Sequence, residues 1–293
     1  MKGRTALVTG SVGGIGLAIA EALAGAGARA GVHGLATPDE AERAVAAIAA
    51  AGAPEARFFE ADMRDVAQIE KMMGEIADWG GADILVNNAG MQITTPLIEA
   101  APEDWSAVLA VNLSAAFHTM RLAMPAMSER GYGRVINIAS VHGLVASKNK
   151  APYVASKFGL IGLSRVAALE FASASSREQG GITVNCICPG WTETAMLEPQ
   201  IEERAAQQGG DRELGIRSLL EEKQPSLRMS APEEIGALAL WLCSPLAHNL
   251  TGAAIPVDGA IGRRVRGFEP SRSLFSLGPN RQCPGCPVRH NIS

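Results

Sequence analysis

The sequence predicts an α/β protein with one doubly wound parallel sheet. Three observations carry that expectation. Short β-branched runs alternate with helical patterns up to about residue 260. A glycine-rich turn, TGSVGGIG, joins the first run to the first helical pattern. Polar side chains recur just past the C-terminal ends of the runs, where open α/β sheets place their ligands.

The elements follow in order. Residues 5–9, TALVT, read as the first strand, and LAIAEALAGAG as a helix ended by Gly25 and Gly27. Between them stand Gly10, Gly13, Gly14 and Gly16. Strand, glycine turn, helix is the context that makes such a motif a dinucleotide site, with backbone N–H groups facing the pyrophosphate. The sheet is therefore expected to be Rossmann-type. A second strand, 28–33, leads into Gly34-Leu35-Ala36-Thr37-Pro38, with Asp39 arriving late. Neither an acidic group for a ribose diol nor an Arg for a 2′-phosphate stands at its end. NADP stays open on these residues, with a lean to NAD because the basic residue is missing.

Helix 38–51 and strand 56–60 come next, closed by Asp62. Asp62 has two readings, a hydrogen-bond acceptor for an adenine amino group or the N-cap of helix 65–78. Strand 83–86 ends at Asn87-Asn88-Ala89-Gly90, where two amides tie loop backbones together or touch a ligand. Helix 102–127, the strand ending at Ala139-Ser140, helix 153–175, strand 182–188 with Pro189-Gly190-Trp191-Thr192, and strand 253–257 complete the alternation. The segment 194–228 breaks that rhythm. Polar, helical and interrupted at Gly209-Gly210, it reads as a lid over the site or as a plain surface excursion.

Composition narrows the functional classes. A net charge of −4 with Lys and Arg spread through the chain argues against nucleic acid as the main partner. No apolar run approaches the ~20 residues of a membrane span, so no membrane partner is expected. MKGRTALVTG enters a strand directly, which makes the cytoplasm the expected compartment. Cys186, Cys188 and Cys243 lie in apolar segments and read as reduced core residues.

The stretch from Arg134 to Lys157 carries the chemistry. Ser140 leaves the end of a strand, and Tyr153 and Lys157 lie four residues apart on one helix face. An ammonium about 4 Å from a phenol, at an effective dielectric near 20, favours phenolate by roughly 4 kcal/mol, or about three pKa units. Burial opposes this shift. The expected result is a Tyr able to exchange a proton near neutral pH, beside a hydroxyl that holds the reacting oxygen.

Thr9-Gly10-x-x-x-Gly14-Ile15-Gly16, Asn87-Asn88-Ala89-Gly90, Asn112, Ser140, Tyr153-x-x-x-Lys157 and Pro189-Gly190 together resemble the short-chain dehydrogenases/reductases over roughly residues 3–260. Four stretches are further similar to the bacterial D-3-hydroxybutyrate dehydrogenases: NAGMQ, NIASVHGLVASKNKAPYVASK, NCICPGW and EEKQPSL. That resemblance implies NAD-dependent interconversion of D-3-hydroxybutyrate, or a similar short 3-hydroxy acid, and acetoacetate. It implies Tyr153 as general acid/base, Ser140 steadying the C3 oxygen, and Lys157 lowering the Tyr pKa and holding the nicotinamide ribose. Asn112 would anchor a water leading from Lys157 to solvent.

Cofactor contacts are implied at Gly10, Ser11, Gly14, Ile15 and Gly16, at Leu35, Asp62 and Met63, at Asn88 and Gly90, and at Pro189, Gly190 and Thr192. A small anionic substrate would be gripped by Gln92, His142, Lys150 and Gln200, with Trp191 alongside. A homotetramer is implied, and no metal. Two departures from the family pattern predict a looser pocket: Ile93 follows Gln92, and Ala260-Ile261 stands where relatives commonly carry Gly-Trp.

Residues 263–293 lie outside the resemblance and read as a disordered or partner-docking tail. Its Cys283-Pro-Gly-Cys286 lacks a second pair, and His290 adds one further ligand type at most. Two other functions are compatible with the same fold. One is an NADPH-dependent reductase of 3-oxoacyl thioesters or another ketone. The other is a non-catalytic dinucleotide sensor, against which the intact Ser140, Tyr153 and Lys157 set argues.

Overall fold

The computed structural model describes residues 1–174, 178 and 180–263. The tail expectations, including Cys283, Cys286 and His290, lie outside the described residues, as does the predicted end of the helix at 175. The chain divides into a compact unit, Met1–Gly262, and a second unit, Arg263–Ser293.

Seven strands build the first unit: β1 (Thr5–Val8), β2 (Arg29–His33), β3 (Ala56–Phe59), β4 (Ile84–Asn87), β5 (Tyr132–Ile138), β6 (Gly181–Pro189) and β7 (Ala254–Val257). All neighbouring pairs are parallel, in the order β3-β2-β1-β4-β5-β6-β7. The order turns around between β1 and β4. The crevice beyond their C-terminal ends is where such a sheet binds ligands.

Strand alternation divides the core between two faces. Ala6 and Val8 of β1 point to one side, with Ile19, Leu23, Ile48, Ile235 and Leu242; Leu7 points to the other, with Ile69, Met72, Met124 and Met127. Burial on both faces is why these strands read as continuous apolar runs.

Helix α1 (Gly14–Gly25) starts after Gly13 without a side-chain cap, whereas α2 (Pro38–Ala50) and α3 (Val66–Asp78) start where their sequences supply capping residues. Thr37 and Glu40 form a capping box on α2. The cap of α3 is Asp65, whose side chain accepts from Ala67 N at 2.9 Å, so Asp62 does not take that role.

The predicted helix 102–127 runs from Pro102 to Arg130 and is not uniform. It consists of α4 (Pro102–Leu109), a π turn (Ala110–Ser114) and α5 (Ala115–Arg130). By length and average composition this helix is apolar enough to cross a membrane, a property that a buried core helix shares, and no continuous apolar run within it approaches ~20 residues. Its apolar character has a local use: Ala115, Met120, Met124 and Met127 pack against the sheet.

Helix α6 (Ala151–Phe171) begins two residues before Tyr153. The 194–228 segment contains α7 (Glu198–Gln207) and α8 (Arg212–Lys223), separated at Gly209 and Gly210, both with positive φ. They pack through Leu197, Ile201, Leu219 and Leu220 onto Trp191. A last helix, α9 (Pro232–Cys243), has no counterpart in the sequence reading; it covers α1 through Ile235, Ala239 and Leu242. Cys186, Cys188 and Cys243 are free and buried, as expected.

Candidate active site

The glycine turn after β1 is shaped by close backbone approach. Gly10 has φ +64°, and a Cβ there would sit 2.9 Å from Ala89 Cα. A Cβ on Gly16 would sit 2.2 Å from the Gly10 carbonyl oxygen, so neither position admits a side chain. No side chain caps α1, so its first-turn N–H groups have no side-chain acceptor at the cap.

The turn is braced from behind. Gly10 N donates to His33 Nδ1 at 3.0 Å, and His33 Nε2 lies 3.1 Å from Ala61 O. Asn88 Nδ2 donates to the carbonyls of Thr9 and Gly10 at 3.0 and 2.9 Å. Asn88 therefore ties the β1 and β4 loops together and also borders the cavity.

Ser140 lies two residues past β5 and accepts from His142 N at 3.1 Å. Its hydroxyl also stands beside the Tyr153 phenol and eases its ionisation. Lys157 Nζ donates to Ile138 O at 2.8 Å and lies 5.6 Å from the Tyr153 ring centre. Ser140, Tyr153 and Lys157 thus meet as predicted. The charge balance differs from expectation. Burial pushes the Tyr153 phenol up, with the Ser140 hydrogen bond pulling it back, and burial lowers Lys157 to about 8. Loss of solvent dominates because it penalises both charged forms at once, while the Lys157 ammonium spends a hydrogen bond on Ile138 O.

Asn112 sits in the π turn. Its Oδ1 accepts from Met91 N at 2.8 Å, and its Nδ2 donates to Met91 O at 2.9 Å and to Ser156 Oγ at 3.1 Å. The π turn is what lets one amide reach both the strand-end loop and α6, a common use of such irregularities.

The anion end is assembled around Lys150, which is only 4% exposed. Its Nζ donates to Gln92 Oε1 at 3.3 Å and to Gln200 Oε1 at 3.4 Å, and stands 5.4 Å from the Trp191 ring centre. Burial, then repulsion from Lys223, lowers its pKa to about 8. His142 is lowered to about 4, chiefly by burial, so its ring is neutral at pH 7. That ring meets Tyr153 edge-on, 6.4 Å between centres.

One cavity of about 400 Å³ runs from Gly10, Gly14 and Ile15 past Ser140, Tyr153 and Lys157 to Gln92, His142 and Lys150. Gly90, Pro189, Gly190, Trp191 and Thr192 also border it. Some predicted residues do not. Ser11 is fully buried, its hydroxyl bonding Val8 O and accepting from His33 N. Gly16 serves packing. Leu35 is 61% exposed. The Asp62 carboxylate is held by Arg64 at 2.6 Å. Asn112 and Met63 border a separate void of about 10 Å³ that also touches Lys157. Gln200 reaches the site only through Lys150.

Sequence reasoning missed Lys223, Val12 and Met196, all of which border the main cavity. Lys223 lies inside EEKQPSL, a stretch read for its resemblance only. Ile261 borders the cavity too, and Ala260 holds φ +75°, a conformation costing a residue with a Cβ about 1–2 kcal/mol. Asp258 secures this turn by accepting from Ala260 N at 3.0 Å and Gly262 N at 2.8 Å.

A family profile described as short chain dehydrogenase matches residues 4–205. The chain is 48% identical over 261 residues to the D-beta-hydroxybutyrate dehydrogenase of Cupriavidus necator, covering 88% of this chain and 98% of that relative. It is 43% identical over 257 residues to the enzyme of the same name from Rhizobium meliloti, covering 87% and 97%. The solved structure of L-sorbose reductase from Gluconobacter frateurii, complexed with NADPH and L-sorbose, superposes with a TM-score of 0.84 at 30% identity, covering 90% and 98%.

Proposed function

The chain belongs to the short-chain dehydrogenase family, and from that premise we propose that it interconverts D-3-hydroxybutyrate and acetoacetate with NAD. The observation that carries this reading is the buried Lys150, held between Gln92 and Gln200 at the end of the cavity beyond Tyr153. A short acid with its carboxylate at Lys150 sets its C3 oxygen toward Ser140 and Tyr153.

The glycine turn suits a nicotinamide dinucleotide, because Gly10 and Gly16 leave no room for side chains and α1 offers its N–H groups there. When bound, that cofactor accepts or delivers the hydride at C3. NAD is favoured over NADP by the segment after β2. His33, the last residue of β2, spends both ring nitrogens on backbone groups, and Thr37 and Glu40 beyond it cap α2, so none of these groups is a cation for a 2′-phosphate.

The protein handles the proton. Tyr153 takes it from the C3 hydroxyl, with Ser140 fixing the oxygen. Lys157, beside the ring, stabilises the phenolate that must be present before this transfer and that forms again when the proton moves on. The void bounded by Asn112 and Lys157 is roughly the size of one water, which suits an onward path for the proton. Exposed Phe117 on α5 and Phe158, Val166 and Leu169 on α6 give further copies of this chain an apolar face to cover, in keeping with a cytoplasmic homotetramer. Sedimentation as a monomer at micromolar concentration would rule that assembly out.

Turnover of acetoacetate and of an acetoacetyl thioester, each with NADH and NADPH, tests the assignment. The proposal expects acetoacetate with NADH to give the highest kcat/KM. Preference for the thioester with NADPH would replace it by the ketoacyl reductase reading.

A further inference from the structure

We propose that Lys223, at the C-terminal end of α8, is a second cation for the substrate carboxylate, delivered from the lid opposite Lys150. This rests on the reading that the substrate is a short 3-hydroxy acid.

Four observations converge. Lys223 and Lys150 border the same cavity although they come from different elements. Lys223 Nζ stands 3.4 Å from Ser147 Oγ, on the loop that carries Lys150. The charge of its neighbour Glu222 is shared: Oε1 lies 3.4 Å from Lys223 Nζ while Oε2 pairs with Arg204. The residue after Lys223 is locked in place. Gln224 is 2% exposed, accepts from Trp191 N at 3.2 Å, and donates to Ser226 Oγ at 3.3 Å and to Arg228 O.

Gln224 therefore pins the end of the lid helix to the loop after β6. With that anchor fixed, Lys223 leaves α8 on the cavity side. Two ammonium groups facing one space repel each other, and the lowering of the Lys150 pKa by Lys223 registers that repulsion. A carboxylate between them removes it and gains charge-assisted hydrogen bonds from both. An uncharged ketone leaves both cations without that partner. The second cation thus selects carboxylates more strongly than Lys150 alone.

Lys223→Gln and Lys223→Arg test this with acetoacetate and its neutral methyl ester, each as substrate or competitive inhibitor with NADH. The Gln variant is expected to raise KM for acetoacetate tenfold or more and change the ester constant less than twofold. The Arg variant is expected to recover most of the loss. An unchanged KM for acetoacetate, or equal losses for acid and ester, overturns the proposal; equal losses would make Lys223 a structural part of the lid. A separate readout needs no turnover. Malonate should raise the Tm of the wild type, and the Gln variant should need at least tenfold more malonate for the same rise. If the wild type acts on neither ketone, the substrate reading fails, yet a malonate shift that depends on Lys223 still supports the paired cations. A malonate response equal in both proteins, or absent from the wild type, counts against them.

Discussion

The Lys150 ammonium donates to Gln200 Oε1 at 3.4 Å, joining the loop after β5 to the first helix of the lid. The same ammonium reaches Gln92 at 3.3 Å, on the loop after β4. Two loops and a helix therefore close around one buried charge. Lys150→Ala removes the charge and strands two amides. A hydrogen bond to a charged group contributes roughly 1.5–3 kcal/mol, so KM for acetoacetate should rise about 10- to 100-fold. Steady-state kinetics with acetoacetate and its methyl ester check this, and the ester should be nearly indifferent.

The same charge sets a pH limit. Lys150 titrates at about 8, lowered by burial and by Lys223, so its ammonium is present below that pH and lost above it. KM for acetoacetate should climb above pH 8 by up to about tenfold per unit, as binding follows the charged form. Lys150→Arg keeps its charge to far higher pH. A KM profile whose inflection stays near pH 8 in that variant would assign the ionisation elsewhere.

Acid should weaken the fold through His33. Burial lowers its folded pKa to about 4 from 6.5, so between those values the unfolded chain takes a proton that the folded one refuses. Stability contributed by neutral His33 is present above pH 6.5 and is lost as pH falls toward 4, by about 1.4 kcal/mol per unit. His142 is lowered to about 4 as well and contributes in the same window. Urea unfolding at pH 7, 6 and 5 should show His33→Asn with a shallower loss than the wild type. An unchanged slope would mean that His33 does not drive the acid response.

Much of the fold was legible because buried parallel strands write continuous apolar runs and glycine turns write themselves as glycines. Helix α9 was not. Ala237 to Cys243 is apolar at almost every position, and such a run does not declare helix or strand by its period. The π turn at Asn112 leaves no mark at all, since its residues are ordinary helix formers in an ordinary helical stretch. Within the site, Tyr153 and Lys157 share one helix, so their meeting follows from spacing. Gln92 and Gln200 lie 58 and 50 residues from Lys150, and only the family resemblance pointed to their convergence. Lys223 stands in a polar helix end that reads as solvated. Chain closure, not local pattern, turns it toward the cavity. The sign of the Tyr153 shift also escaped sequence reasoning, because a pairwise Coulomb estimate carries no measure of how deeply both groups are buried.

The central claim is that the Tyr153 phenol carries the proton while the rest of the site positions the acid and the dinucleotide. Kinetics of Tyr153→Phe with D-3-hydroxybutyrate and NAD, paired with equilibrium titration of NADH, test it most directly. The account predicts a fall in kcat of about 10²–10⁴-fold, the usual contribution of a general acid/base, with NADH affinity within a few-fold of wild type. Turnover within tenfold of the wild type would contradict it.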